Sequence, residues 1–306
     1  MWPKYEKIAK RLKTALQEFS ATEHPLPGIA AAAAAETLAL QMVASLRRLD
    51  YTQHLRKRHI SPDRADPSSP LFDPERGSMY LASQGQFDEA FWLLFLSAHF
   101  GKHRKHGWLR VKEVYSGLGS GQWTWARISK DPGSFRIWLT AHAHKIGGGF
   151  SNHRKYESLR ADSKKGTASV IESYVEWVGP HRSHAKMVRD LVQAGGNDPH
   201  SIFDHFYRSM KVLRFGRLGK FDFLALVGRL DLAPIEPGSA YLIGATGPLK
   251  GARLLFGGTP DANISEKVLE ERLRALDAKL KVGMQVMEDS LCNWQKSPKK
   301  FIHFLG

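Results

Sequence analysis

The chain has 306 residues, 42% of them hydrophobic, which is enough for one large or two smaller folded domains and too apolar for a disordered segment. Lys and Arg number 45 against 30 Asp and Glu, a formal charge of +15 with an isoelectric point near 9.9. A surplus of that size favours a polyanionic partner, and nucleic acid ahead of small anions, because 8 Trp, 16 Phe and 8 Tyr lie among the basic residues. The single cysteine, Cys292, excludes a disulfide framework or cysteine-based zinc site within one chain and fits a reducing compartment. The start of the chain is charged and lacks an apolar signal core, and the alanine-rich residues 28–35 are too few to span a bilayer. A cytoplasmic protein bound to no membrane is therefore expected.

In chain order, residues 3–21 have helical spacing, with Ile8, Leu12, Leu16 and Phe19 on one side, and Pro25 and Pro27 end the pattern. Residues 28–49 form a second helix favoured by their alanines. Residues 60–78 hold four prolines among Asp and Ser and read as a turn-rich connection. Residues 87–100 are apolar almost all round, the mark of a buried helix. Shorter helical patterns follow near 108–117, 133–145, 183–194, 199–213 and 219–230, while 167–178 suits strand or helix equally. Asn263 with Glu266 has capping-box spacing ahead of the stripe Leu269, Leu273, Leu276 and Leu280. The reading is mainly α. Three segments are expected: an N-terminal helical extension over 1–80 packed on the core, a helical core over 81–260, and a C-terminal helix with a basic tail over 261–306.

The most informative stretch is Phe215-Gly-Arg-Leu-Gly-Lys-Phe-Asp-Phe223, with Leu232-Ala-Pro-Ile-Glu-Pro-Gly238 after it. It reads as a tight glycine turn opening a helix, preceded and entered by Arg208, Lys211, Arg214, Arg217 and Lys220. Backbone amides at such a turn, flanked by cations, suit a phosphate. The segment resembles the hairpin and catalytic loop of helix-hairpin-helix DNA glycosylases. That resemblance implies a helix-hairpin-helix glycosylase-like fold, with the hairpin near 215–223. Gly219 then matches the second hairpin glycine, where backbone approaches phosphate, and Arg214, Arg217 and Lys220 become DNA contacts. Arg217 departs from the glycine usual at its place.

Glu236 falls near the position of the family's catalytic acid, where a carboxylate stabilises positive charge on the sugar or activates water. Capping of the next turn is the other role open to it. Asp222 is a second carboxylate, in a first helical turn where the helix dipole alone explains it. Phe221 occupies the place of the lysine that forms a Schiff base in strand-cleaving relatives, so base removal without an efficient lyase step is expected.

Residues 96–103, Leu-Ser-Ala-His-Phe-Gly-Lys-His, end the apolar helix and begin a basic run. Lys102 and His103 are candidate DNA contacts. His99 is a candidate for the edge of an extruded base, or equally a helix-terminal histidine satisfying carbonyls. Trp123 and Trp125 flank Thr124 and are candidates for stacking on a flipped base. Gly147-Gly-Gly-Phe150 with Asn152-His-Arg-Lys155 is open to two readings, a loop that follows a backbone or lines a pocket and a mobile surface loop. No metal site and no cofactor are expected; His99, His103 and His106 lack neighbouring acids or cysteines that would complete a zinc pattern.

These strings, together with Leu232 to Leu242 and Gly244-Ala-Thr-Gly-Pro-Leu-Lys-Gly-Ala-Arg253, resemble the alpha-glutamyl/putrescinyl thymine pyrophosphorylase family over roughly residues 45–260. The resemblance implies a relative of DNA glycosylases that acts on hypermodified pyrimidines. The expected activity is excision of such bases (glucosylated hydroxymethyl pyrimidines, for example) from double-stranded phage DNA, leaving abasic sites as a defence. Modification of hydroxymethylated pyrimidines, which the family name implies, and DNA binding without catalysis are the alternatives.

Overall fold

The computed structural model describes residues 5–303, and within them the chain is mainly helical, with no β-strand. One isolated antiparallel bridge, His103 to Gly107, closes a turn. The chain folds as two compact units, one made of Met1–Gln53 with Pro237–Gly306, the other of His54–Glu236.

The first unit joins both ends of the chain. Helices α1 (Glu6–Thr22) and α2 (Ala32–Arg56) come from its N-terminal part. α12 (Gly247–Gly257), α13 (Glu266–Leu280) and α14 (Met284–Trp294) come from its C-terminal part. Leu12, Leu16 and Phe19 of α1 are fully buried with Leu38 and Met42 of α2. The predicted stripe Leu269, Leu273, Leu276 and Leu280 belongs to the same core and is likewise fully buried. The extension expected at the start of the chain and the helix expected at its end thus share one core. Lys279 pairs with Glu18 at 3.3 Å across it. α13 is capped by Ser265, whose hydroxyl accepts from the Val268 amide at 3.4 Å, rather than by Asn263. Glu266 stands at the first helical position, so the capping-box spacing lies two residues ahead of the true cap.

The second unit is built on α4 (Phe87–Phe100), predicted to the residue and buried from Ala90 through Ser97. α3 (Pro74–Ser83) packs against it as a helical hairpin, and Ser78 donates to the Ala90 carbonyl at 2.8 Å. α3 begins inside the stretch expected to be turn-rich, because Asp73 caps it and Pro74 occupies the first turn, where a missing N–H costs nothing. α5 (Leu109–Tyr115), α6 (Trp125–Lys130), α7 (Pro132–His142), α8 (Thr167–Val178), α9 (His184–Gly195), α10 (Pro199–Ser209) and α11 (Arg217–Arg229) complete the unit. The segment 167–178, open between strand and helix, is helical, with nine of its residues buried against neighbours on several sides.

A chain of aromatic rings fills the middle of this unit. Phe95 stacks on Tyr174 at 3.6 Å and packs against Phe215 and Phe223. Tyr174 hydroxyl meets His184 Nε2 at 2.8 Å, and His184 Nδ1 lies 3.1 Å from Asp88. His184 is fully buried, and burial holds its pKa below the ordinary value despite the Asp88 carboxylate.

Candidate functional site

α10 and α11 are joined by residues 210–216, and Gly216 caps α11 without a side-chain bond to its amides. The left-handed residue of the connection is Arg214, at φ 63°, not a glycine. Gly216 has φ −71° and open space around a built Cβ, so its conformation suits any residue. The glycine that the structure requires is Gly219. A Cβ there would lie 2.8 Å from Arg154 Nη1 and 2.9 Å from Nη2. Gly219 was expected to admit a phosphate; here the group against it is the chain's own guanidinium.

Arg154 is the hub of the site, 8% exposed. Its Nε donates to the Ala98 carbonyl at 2.9 Å, in the last turn of α4. Its guanidinium lies 4.4 Å from the centre of the Phe215 ring, a cation–π contact. Burial holds its pKa down, while the charges of Asp222 and then Glu157 act the other way. Asp222 is half-buried and stands one helical turn beyond Gly219, so the two share the face of α11 over which Arg154 lies. Arg214 donates from Nε to the Glu157 carboxylate at 3.1 Å and from Nη2 to the Tyr156 carbonyl at 3.0 Å. The connection 210–216 and the loop carrying Arg154 are thereby fastened together.

His99 adjoins this hub. It is fully buried, packed near Phe95, Phe100, Phe150 and Phe215, and its Nε2 lies 3.1 Å from the Thr167 hydroxyl. Its Nδ1 is buried without a hydrogen-bond partner. Burial first, then the charges of Arg154 and Arg214, lower its pKa to about 3, so the ring is neutral at physiological pH.

The other predicted site residues separate. Lys220 is half-buried; its Nζ donates to the Tyr207 carbonyl at 3.2 Å and lies 5.2 Å from the Tyr207 ring centre. Burial and the neighbouring Lys211 charge hold its pKa below the ordinary lysine value. Arg217 sits over the Phe221 ring at 4.9 Å, and Phe221 itself is buried against Phe203. Lys102 is exposed and lies 5.7 Å from the Trp108 ring centre. His103 stacks on His106 and accepts the amides of Lys105 and His106 on Nδ1. Trp123 and Trp125 are 1% and 4% exposed: Trp123 packs on Phe135 beneath Arg127, and Trp125 donates to the Arg182 carbonyl at 2.7 Å. Thr124 caps α6, so the two rings lie on a helix start rather than along an extended segment. Among the described residues, no group of three or more His, Cys, Asp or Glu is arranged to hold a metal.

Glu236 is exposed and lies away from this hub. Its amide donates to the Pro199 carbonyl at 3.3 Å and its carbonyl faces His200 Nδ1 at 3.0 Å, both at the start of α10. Tyr207, which holds Lys220, is about 12 Å further along that helix at 1.5 Å per residue.

Sequence reasoning reached Arg154 only as one of several basic residues in a surface loop, and missed Glu157 and Glu75. The loop of Arg154, for which a mobile surface is one reading, is held in place. Arg110 donates to the Gly147 and Gly148 carbonyls at 3.1 Å, and Phe150 stacks on Phe100. Glu75, in the first turn of α3, has its carboxyl held above the ordinary value by burial, against the pull of Arg229, Lys102 and Arg76. No periodicity or motif marks these residues; only the packing of distant segments does.

The fold and the hub define a helical protein with a basic connection between two helices, stapled by a buried arginine. Residues 33–306 match the family described as alpha-glutamyl/putrescinyl thymine pyrophosphorylase clade 3, and the chain belongs to that family. The family name is that of an enzyme related to thymine modification. No curated protein and no solved structure gives a match. No helix among the described residues is long and apolar enough to cross a membrane.

Proposed function

We propose that the protein is a monofunctional DNA glycosylase that removes hypermodified pyrimidines from double-stranded phage DNA and leaves abasic sites. The observation that carries this reading is Arg154 lying against Gly219 and facing Asp222 behind the basic connection 210–216. Arg214, Arg217 and Lys220, with the uncapped amides of the first turn of α11, supply donors for phosphate oxygens of one strand. Lys102 and His103 extend the basic surface of the same unit.

Asp222, rather than Glu236, is the carboxylate we assign to the sugar. A base whose glycosidic bond breaks leaves positive charge on the deoxyribose. The acid that stabilises it belongs beside the nucleotide whose phosphate the hairpin grips. Asp222 meets that requirement on the hairpin helix itself, and Glu236 sits at the far end of α10. Arg154 places its positive charge beside Asp222. His99, neutral and with a free Nδ1, stands behind this face as a group that hydrogen-bonds without bearing charge.

The family name supports a second reading, in which the chain alters the base and keeps its bond to the sugar. Product analysis separates the two. Hypermodified phage DNA is incubated with wild type, Asp222→Asn and Glu236→Gln, and free bases, abasic sites and nucleosides are quantified by mass spectrometry. Excision predicts free base and abasic sites with wild type and Glu236→Gln, and neither with Asp222→Asn. Altered nucleosides with intact sugar bonds would establish the second reading. Intact modified bases after prolonged incubation would sink the first.

A further inference from the structure

Tyr156 is 79% exposed, although Arg154 and the side chain of Glu157 in the same loop are held inside. Arg154, two residues before it, is buried under the hairpin, and the side chain of Glu157, one residue after it, is 7% exposed. The Glu157 amide bonds to the Arg154 carbonyl at 2.9 Å, closing a turn with Tyr156 inside it. Arg214 then fixes the turn from outside, through the Tyr156 carbonyl and the Glu157 carboxylate. The backbone of Tyr156 is therefore set by these hydrogen bonds, while its ring projects from the surface. Lys155 lies beside the ring, with Nζ 5.1 Å from its centre.

An aromatic ring held on a fixed backbone offers its flat apolar face to a covering partner at little conformational cost. Its surroundings specify the cover. Lys155 lies next to the ring, Arg214 holds its backbone, and Lys211 of the connection and Arg217 at the start of α11 stand on either side of Arg214 in the chain. Two apolar side chains of that connection and the following turn, Leu213 and Leu218, are 45% and 39% exposed. A flat apolar face among cations is complementary to a nucleobase with its phosphates, and mismatched to an apolar protein surface, which would leave the cations without counter-charge.

We propose that Tyr156 is a stacking residue for DNA, taking an unpaired or unstacked base on its open face while the hairpin cations hold the flanking phosphates. The proposal rests on the reading of the hairpin as a DNA-binding element. It adds a base-contacting residue that lies outside the hairpin and outside the carboxylate loop.

The test uses the full-length protein and short duplexes carrying 2-aminopurine opposite an abasic site, and follows both affinity and the quench of the fluorescent base. With wild type, binding quenches the fluorescence. Tyr156→Ala weakens binding about 5- to 150-fold, the range seen for loss of one base–aromatic stack, and abolishes the quench. The slope of affinity against salt stays at its wild-type value, because no phosphate contact is lost. Tyr156→Phe retains the quench. Arg217→Ala weakens binding with a lower salt slope and keeps the quench. Tyr156→Ala with wild-type affinity and quench overturns the stacking role and leaves DNA binding intact. Failure of wild type to bind any of the duplexes overturns the DNA-binding reading itself, and the stacking role with it.

Discussion

The guanidinium of Arg154 occupies the space that a side chain at Gly219 would need. Its two terminal nitrogens stand 2.8 and 2.9 Å from the position of a Cβ there. The first turn of α11 can approach the loop 150–158 this closely only because position 219 has no side chain. Arg154 cannot yield easily, since the Ala98 carbonyl and the Phe215 ring hold it from the other side.

Gly219→Ala should therefore destabilise the protein, although alanine favours helices. Overpacking of this kind costs about 1–3 kcal/mol, against a gain of up to about 1 kcal/mol in helix propensity. Urea denaturation should show a lower midpoint with an unchanged slope. The control Gly216→Ala, at a position with open space around it, meets no clash and should lose only the N-cap preference of glycine over alanine, about 1 kcal/mol or less.

Arg154→Met should act on His99 at a distance from its own contacts. The arginine charge is the second cause, after burial, that lowers the His99 pKa to about 3. Without it the pKa rises, but stays below 6.5 because burial remains. NMR titration of the His99 ring protons reads this directly. A His99 pKa that stays unchanged in the variant would show that the two groups do not interact.

His99 also sets an acid limit on stability. Its folded pKa lies below its unfolded value of about 6.5, so the unfolded chain binds the proton more readily. The contribution of the neutral ring is thus fully present above about pH 6.5 and is lost as the pH falls towards 3. Between those limits this one group removes about 1.4 kcal/mol per pH unit. His184, buried and shifted the same way, adds to the slope. His99→Phe should flatten the fall in unfolding free energy between about pH 7 and pH 5 by about 2 kcal/mol. Equal slopes in variant and wild type would contradict the burial of a neutral imidazole.

Lys220→Ala should weaken binding to any DNA by a similar factor whatever its sequence. If its ammonium contacts one phosphate, the slope of log affinity against log salt should fall by about 1. The same change releases the Tyr207 carbonyl from its donor, so thermal unfolding of the variant is measured alongside. A salt slope equal to that of wild type would remove Lys220 from the interface.

Much of this protein is written into local sequence. α4 is legible to the residue because its nearly continuous apolar positions admit only a buried helix, and the leucine stripe of α13 because its spacing repeats the helical turn. The basic connection ahead of α11 is legible too, since charge and glycine stand together in a short run. Local sequence leaves the loop of Arg154 open, because nothing within it shows that Arg110, Phe100 and Arg214 come from elsewhere to hold it. It also puts both tryptophans of the 123–125 segment at a pocket, whereas the space around them is filled by Phe135, Arg127 and the Arg182 carbonyl.

Sequence alone therefore determined the helical class, the excess positive charge and the family, because these follow from periodicity, composition and short motifs. Tertiary structure decided which acid acts on Arg154, why Gly219 is a glycine and why His99 is neutral. Each of those depends on a distant group brought into contact and on the burial that contact creates. No run of neighbouring residues encodes either.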